Sequence, residues 1–348
     1  MMIAQELSLS LKAAVADYDQ LRGRASDLVS LDLPVRLELH TFGGRDLDDP
    51  SGFDRALGHI ARLRSEFEVA SVVVHVPLQS VPVVTRVPFD TAQCSRCIAF
   101  AAAAGASAVV LHRYYALVYG AEPPRIGSKE EAETGFEESV RTLAKDAGDM
   151  PLLIENVGHY SLLPRDGKSF LTGPLDHFFP WEIARFRNFT AREGLSAVKP
   201  FIDVAHATLS ANLFNRARAR REEVRHDPRF AWITDEDLDQ AQWLDPFDFV
   251  DAGMDYLHVS DAVQLDQASC AAPGLDESLL TRSIVSEGLE LGTGTLPFAQ
   301  LPARFGTSGT LVLEVDPAPG ESHAGNGAQR RSAERLRAHF SAAGGFQT

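Results

Sequence analysis

The stretch Phe201-Ile-Asp-Val-Ala-His-Ala207 holds an apolar run that stops on an aspartate, with a histidine three residues later. Read as a buried strand, it sets Asp203 and His206 at the carboxyl end, where a parallel sheet meets solvent and ligands bind. The same grammar recurs along the chain. The β-branched run 69–76 contains His75, and the run 107–111 is followed at once by His112. Residues 151–154 lead into Glu155-Asn156, Tyr-Leu-His-Val at 256–259 contains His258 with Asp261 just beyond, and 310–313 ends on Glu314.

Between these runs the apolar spacing is helical, over 53–67, 91–105, 129–147, 181–193, 209–223 and 329–340. Residues 7–11 read as a weak first strand, and Val35-Arg-Leu-Glu-Leu-His40 alternates before the loop signal Thr41-Phe-Gly-Gly44. Strand and helix alternate about eight times, which implies a parallel sheet with helical crossovers. One closed (β/α)8 TIM barrel over 1–348 is therefore expected. The rival, a doubly wound open sheet, concentrates its ligand signal in one or two loops, not after nearly every strand.

Composition narrows the partners. With 33 Lys and Arg against 48 Asp and Glu, the formal charge is −15, which disfavours binding driven by phosphate neutralisation, so no nucleic-acid partner is expected. The three cysteines and the lack of a basic segment ahead of an apolar stretch at the start point to a reducing, cytoplasmic setting. No apolar run approaches the roughly 20 residues of a membrane span. Cys94 and Cys97 form a lone CxxC and read as small residues in the first turn of an Ala-rich helix.

On a barrel the strand ends converge, so His75, His112, Glu155, Asp203, His206, His258, Asp261 and Glu314 should share one mouth. Any one of them reads as an ordinary capping or solvated group. Five successive apolar strands ending alike do not. Buried carboxylates and imidazoles need a compensating charge, and a divalent cation turns their repulsion into coordination. Mixed oxygen and nitrogen donors suit Mn²⁺, Zn²⁺, Co²⁺ or Mg²⁺, and the nitrogens favour Mn²⁺ or Zn²⁺.

Ile154-Glu155-Asn156, Asp203-Val-Ala-His206, His258-Val-Ser-Asp261, Leu291-Gly-Thr-Gly294 and Leu313-Glu314 together resemble the xylose-isomerase-like TIM barrels. That superfamily includes sugar isomerases and epimerases, dehydratases and the apurinic-site endonucleases. The resemblance implies that Glu155, Asp203, His258 and Glu314 ligate the shared metal and that His206 contacts substrate. His75 and His112 match positions that bind a further zinc in the endonucleases and line the pocket in isomerases; a second metal there would be bridged by Glu155. Ser286-Glu-Gly-Leu-Glu290 lacks the Asp-x-His pair of the endonucleases, which argues against a trinuclear centre. Thr293 stands where the family usually carries Glu between the two glycines.

The chemistry implied is proton transfer on carbon beside a carbonyl or hydroxyl, through an enediolate, with Glu155 and Glu314 as the acid/base pair. His206 would hold a substrate oxygen, and Asp261 would orient His258 from behind. The expected function is a metal-dependent isomerase or epimerase of a sugar, sugar phosphate or related polyol. The alternatives are a dehydratase on the same scaffold, a dinuclear phosphodiester hydrolase, and a non-catalytic metal-binding barrel. Two long connections, 157–180 and 208–245, should overhang the mouth. Tyr160, Phe170, Phe178, Phe179 and Trp181 either wall the pocket or pack on the barrel. Arg165, Lys168 and Arg216 are candidates for an anionic substrate group, and the run Arg216–Arg221 otherwise reads as a solvated helix face or lid. A homodimer is the default expectation for a barrel of this kind.

Overall fold

The structure, a computed structural model, describes residues 7–41, 46–77, 90–113, 128–157, 160–162, 170–172, 174–251, 253–306 and 308–342. Its strands are β1 (Leu7–Ala14), β2 (Val35–His40), β3 (Val69–His75), β4 (Val109–His112), β5 (Leu152–Glu155), β6 (Tyr160–Leu162), β7 (Phe170–Thr172), β8 (Val198–Asp203), β9 (Tyr256–Val259) and β10 (Gly309–Leu313). The helices are α1 (Tyr18–Ser30), α2 (Pro50–Glu66), α3 (Thr91–Ala104), α4 (Lys129–Ala147), α5 (Pro180–Arg192), α6 (Val204–Val224), α7 (Asp235–Gln240), α8 (Gln267–Ala271), α9 (Glu277–Val285), α10 (Leu301–Phe305) and α11 (Gly327–Ala342).

Eight strands close into a barrel in the order β1-β10-β9-β8-β5-β4-β3-β2, every neighbouring pair parallel. The seam is β1 against β10, with Leu7 opposite Gly309 and Leu11 opposite Leu313. The expected TIM barrel is therefore observed. β6 and β7 form a separate antiparallel hairpin inside the connection read as a long loop.

Strand alternation sorts the core into two layers. Leu9, Leu11, Leu37, Leu39, Val72, Val74, Ile202, Leu311 and Leu313 face outward and join the main core beneath the helices. Val73, Ala108, Val110, Leu153, Phe201, Tyr256 and Val312 make a second, smaller cluster. They fill the barrel interior as a packed plug, as small barrels require. Two residues further along six strands, with the same inward direction, stand His75, His112, Glu155, Asp203, His258 and Glu314. The apolar plug is thus the floor of the polar mouth.

The barrel is closed by its last helix. α11 buries Ala333, Leu336 and Phe340, and Gln329 donates to the carbonyl of Leu313 at 2.7 Å. Several helix starts carry side-chain caps; Ser128 and Glu131 form a reciprocal box at α4. Cys94, Cys97 and Cys270 are buried free thiols, and burial pushes the Cys97 thiol up to about 12, consistent with its reading as packing. No helix among the described residues is long and apolar enough to cross a membrane.

Two expectations about the connections change, and one choice between readings is decided. Residues 208–245 are not one open insertion: α6 runs to Val224, and from Val204 to Ala217 nearly all of it is buried. Beyond it, α7 lies beside the first turns of α4 and α5, where Asp237 accepts from Trp181 Nε1 at 2.9 Å and pairs with Lys129 at 3.4 Å. Arg216 is neither a solvated lid residue nor an anion contact. It is 2% exposed and donates to the carbonyls of Cys270 (2.8 Å) and Ala272 (2.6 Å), while pairing with Glu223. On the buried stretch of α6 the Arg216 guanidinium is satisfied by neighbouring backbone, while Arg220 and Arg221 further along stay on a solvated face. Phe178 and Phe179 are fully buried, and Trp181 stacks on Phe179 with ring centres 4.8 Å apart, so these aromatics are packing. The side chains of Tyr160, Arg165, Lys168 and Phe170 lie outside the described residues, as does most of the loop 41–44.

Phe214 sits at 0% exposure with its ring edge against Phe179, 5.6 Å between centres. Replacing it by Ala removes the contact that holds α6 to the start of α5. A loss of about 3–5 kcal/mol is expected in denaturant unfolding; a loss under about 1 kcal/mol would show that this aromatic cluster is not part of the cooperative core.

Candidate metal centre

Each member of the site arrives on a different strand, so the site exists only when the barrel closes. Register places His40 beside His75, His112 beside Glu155, and Asp203 beside His258. Asp203 is also the first cap of α6: its backbone is extended (φ −85°, ψ 124°) and its carboxylate accepts from the His206 N–H at 2.8 Å. Asn156 ties the neighbouring strand ends together, accepting from Asp203 N at 2.6 Å and donating to the Asp203 carbonyl at 3.1 Å.

Glu155 is the centre. It is wholly buried and meets four imidazoles: Oε1 lies 3.0 Å from His258 Nδ1 and 3.4 Å from His206 Nδ1, and Oε2 lies 3.1 Å from His75 Nε2 and 3.3 Å from His112 Nε2. Glu314 Oε2 is 2.8 Å from the same His258 Nδ1. Ligand atoms of Glu155, Asp203, His258 and Glu314 all lie within 4.8 Å of one another, and so do those of His75, His112 and Glu155.

The donor set fits a cation for a specific reason. His258 Nε2 lies 2.8 Å from Glu38 Oε2, so that nitrogen carries the proton of the neutral ring. Its Nδ1 lone pair then faces two carboxylate oxygens, which is repulsive unless a proton or a metal ion lies between them. His75 repeats the logic, with Nδ1 donating to the Val76 carbonyl at 2.8 Å and Nε2 turned to Glu155. Around an ion with ligands at roughly 2.1 Å, tetrahedral neighbours sit about 3.4 Å apart, close to the spacings seen here. Glu155, Asp203, His258 and Glu314 would hold one ion, as their resemblance implied.

The electrostatics of the cluster show the same demand for positive charge. Burial alone would raise the Glu155 carboxyl, but His258 and His112 hold it well below the usual range. Burial would likewise lower His258, yet Glu38 and Glu155 lift it well above an ordinary histidine. Asp203 is pushed up to about 6, by burial first, with His206 opposing and Glu155 adding to the rise. Burial takes His40 down to about 4 and His112 down to about 3, leaving both rings neutral.

Two assignments move. Asp261 does not orient His258. Its carboxylate accepts from the backbone N–H groups of Ala262 (2.9 Å), Gly292 (2.7 Å), Gly294 (3.0 Å) and Leu296 (3.1 Å), anchoring the glycine turn. A side chain at Gly294 would collide with that carboxylate and with the Ala262 carbonyl, so the glycine is required there. The residue behind His258 is Glu38, fully buried, also bound by the Tyr256 hydroxyl at 2.6 Å and by His40 at 2.9 Å. His206 is present at the mouth, but Nδ1 lies 2.8 Å from the Asn156 carbonyl and Nε2 lies 3.0 Å from Glu287, so a substrate oxygen must share it.

Lys12, Glu38, His40 and Glu287 were not among the candidate site residues of the sequence reading. Period-two alternation carries a usable signal for three of them: Ser10-Leu-Lys12 and Glu38-Leu-His40 place polar residues on one face of strands whose other face is leucine. Glu287 sits in a loop and had no such signal.

No family model matches the chain, and no curated protein matches it in sequence. Among solved structures it is similar to L-ribulose 3-epimerase, at 13% identity and TM-score 0.54, over 98% of this chain and 97% of that one. It is also similar to a xylose isomerase domain protein from Alicyclobacillus acidocaldarius subsp. acidocaldarius (14%, TM-score 0.52, 97% and 100% covered). A third likeness is to the IOLI protein with a binding zinc atom (11%, TM-score 0.52, 98% and 100% covered). The fold is thus that of the xylose-isomerase-like TIM barrels.

Protons on His258 and Asp203 compete with an incoming cation, so uptake releases them, and raising the pH through about 6 strengthens binding. Calorimetric Mn²⁺ titrations in two buffers of different ionisation enthalpy read this directly; an affinity flat across that range contradicts it. Glu38→Gln removes the charge behind His258 and should weaken ion binding about 10–100-fold without unfolding the barrel. Unchanged affinity would mean that Glu38 plays no part in orienting the ring.

Proposed function

We propose that this chain is a divalent-metal-dependent isomerase or epimerase of a sugar or related polyol, working by proton transfer through an enediolate. The observation that carries the reading is that Glu155 and Glu314, delivered by β5 and β10, both meet His258 Nδ1, at 3.0 and 2.8 Å, each with its other oxygen directed to a different partner. Glu155, Asp203, His258 and Glu314 would hold a divalent ion, which when bound would polarise the substrate carbonyl and neutralise the carboxylates.

The chain's own groups then divide the work. Glu314, from β10, removes a proton from carbon on one face; Glu155, from β5, returns one on the other. His206, 3.4 Å from Glu155 Oε1, is held charged, since Asp203, Glu155 and Glu287 outweigh the effect of burial, and serves as the proton reservoir beside it. The apolar plug of Phe201, Tyr256 and Val312 keeps water from entering beneath, which protects a carbanionic intermediate from stray protonation. Manganese or zinc suits the mixed donors best. A dehydratase would use the same first proton abstraction and then expel a β-hydroxyl.

One observation favours a second reading. His75 and His112 both face Glu155 Oε2, so a second ion could be bridged there, as a phosphodiester hydrolase would use. Counting bound metal separates the two: one ion per chain supports proton transfer, two support hydrolysis.

Solvent deuterium should appear at the carbon next to the carbonyl in at least one of a panel of neutral ketoses. Glu155→Gln and Glu314→Gln should each keep the melting temperature and lose exchange by about 100-fold or more. Full exchange in both variants would refute the acid/base assignment.

A further inference from the structure

Lys12 is a basic side chain inside the barrel mouth, delivered by β1 on the face shared with Ser10. Its side chain is 29% exposed, and its Nζ lies 2.7 Å from Glu314 Oε1. Glu314 therefore points its two oxygens in different directions: Oε2 to His258 Nδ1 at 2.8 Å, Oε1 to the ammonium. The oxygen turned away from the metal ligands is the one able to exchange a proton with substrate, and Lys12 is bonded to that atom. An ammonium has three N–H donors. One is used by Glu314, and the rest open onto a pocket lined by His206, Ser260, Glu287, Gly288 and Asp316.

We propose that Lys12 is a further catalytic residue, whose ammonium donates to the carbonyl oxygen of a bound hydroxy-carbonyl substrate on the Glu314 side of the pocket. The proposal rests on the proton-transfer reading above. When Glu314 Oε1 takes the C–H proton, the electron pair left on carbon forms the C=C bond of the enediolate, and the carbonyl oxygen takes the negative charge. Lys12 reaches that oxygen with a donor already placed, so no reorganisation accompanies the charge shift. Glu155 returns to carbon a proton that it takes from His206, 3.4 Å away, which restores the carbonyl; the proton on Glu314 leaves to solvent, and solvent reprotonates His206. Glu314 at 2.7 Å, with Glu287 and Asp316 in the same pocket, already balances the charge of the ammonium. It acts as a hydrogen-bond donor to a neutral oxygen, not as an anchor for a phosphate.

The test uses the full chain loaded with Mn²⁺ and xylitol as a proton-inert polyol probe. Calorimetry of wild type, Lys12→Met and Lys12→Arg should give Mn²⁺ affinities alike within about threefold, and xylitol binding about tenfold weaker in the Met variant. The Arg variant should recover part of that loss. Lys12→Gln replaces the Met variant if the latter does not fold. Equal xylitol affinity in wild type and the neutral variant overturns the proposal, as does a wild type that binds no xylitol. Loss of Mn²⁺ binding in Lys12→Met also overturns it, because Lys12 would then act only through Glu314. Deuterium exchange in wild type is scored separately: xylitol binding that depends on Lys12 without any exchange sinks the reaction and leaves the contact standing.

Discussion

Several carboxylates and a ring of imidazoles occupy the mouth of a barrel whose interior below them is packed with apolar side chains. That is the constraint on which the rest of the structure turns. A buried carboxylate without a counter-charge costs several kcal/mol, and Glu155 has no water to fall back on. Its compensation comes from four histidines on four different elements, which must all arrive at the correct height. The fold is thereby obliged to be a closed barrel with fixed register, since a one-residue slip in any strand would turn its site residue into the outer core.

The hydrogen bonds behind the ligands make the cluster directional. Glu38 decides which nitrogen of His258 is available, and the Val76 carbonyl decides the same for His75. With the tautomers set from outside, the lone pairs converge inward, and only a positive centre stabilises them. Lys12 supplies part of that positive charge from the side, on the oxygen of Glu314 that the other ligands do not use. In the proposed mechanism this division assigns metal binding to one oxygen of Glu314 and proton transfer to the other.

A second buried ion network holds the rim. Arg113 pairs with Glu182 at 2.9 Å and lies over the face of Phe178, 4.4 Å from its ring centre, while Lys129 reaches Glu182 at 2.6 Å. Phe178 has a positive φ of 38°, an uncommon conformation for an aromatic residue, and the surrounding rings and guanidinium hold it there. Burial raises the Glu182 carboxyl, but Arg113 and Lys129 bring it down to about 2, so the network stays charged across the neutral range. Its effect is to fix the starts of α4, α5 and α7 together above β4 and β5, beside the metal ligands those strands present.

The sequence by itself determined the barrel and most of the site. Alternating strands and helices set the topology, and Glu155, Asp203, His258 and Glu314 could be picked out because each ends an apolar run. His75, His112 and His206 were legible on the same ground. Residues in mid-strand were harder: Lys12 and Glu38 sit within runs, and a single charged residue there reads equally well as a solvent-facing position of a half-exposed strand. Only closure shows that both faces of these strands are covered, so the inner face has nowhere to turn but the mouth. The partner of each polar group was likewise left to the tertiary structure. Asp261 and Glu38 are both acidic residues from strands near His258, and their roles differ because one faces a glycine turn and the other an imidazole. Arg216 opens an arginine run whose later members, Arg220 and Arg221, are solvated; only the packing of α6 from Val204 to Ala217 buries Arg216 itself. Local pattern fixes which way a side chain points along its element; what it meets there is set by elements dozens of residues away.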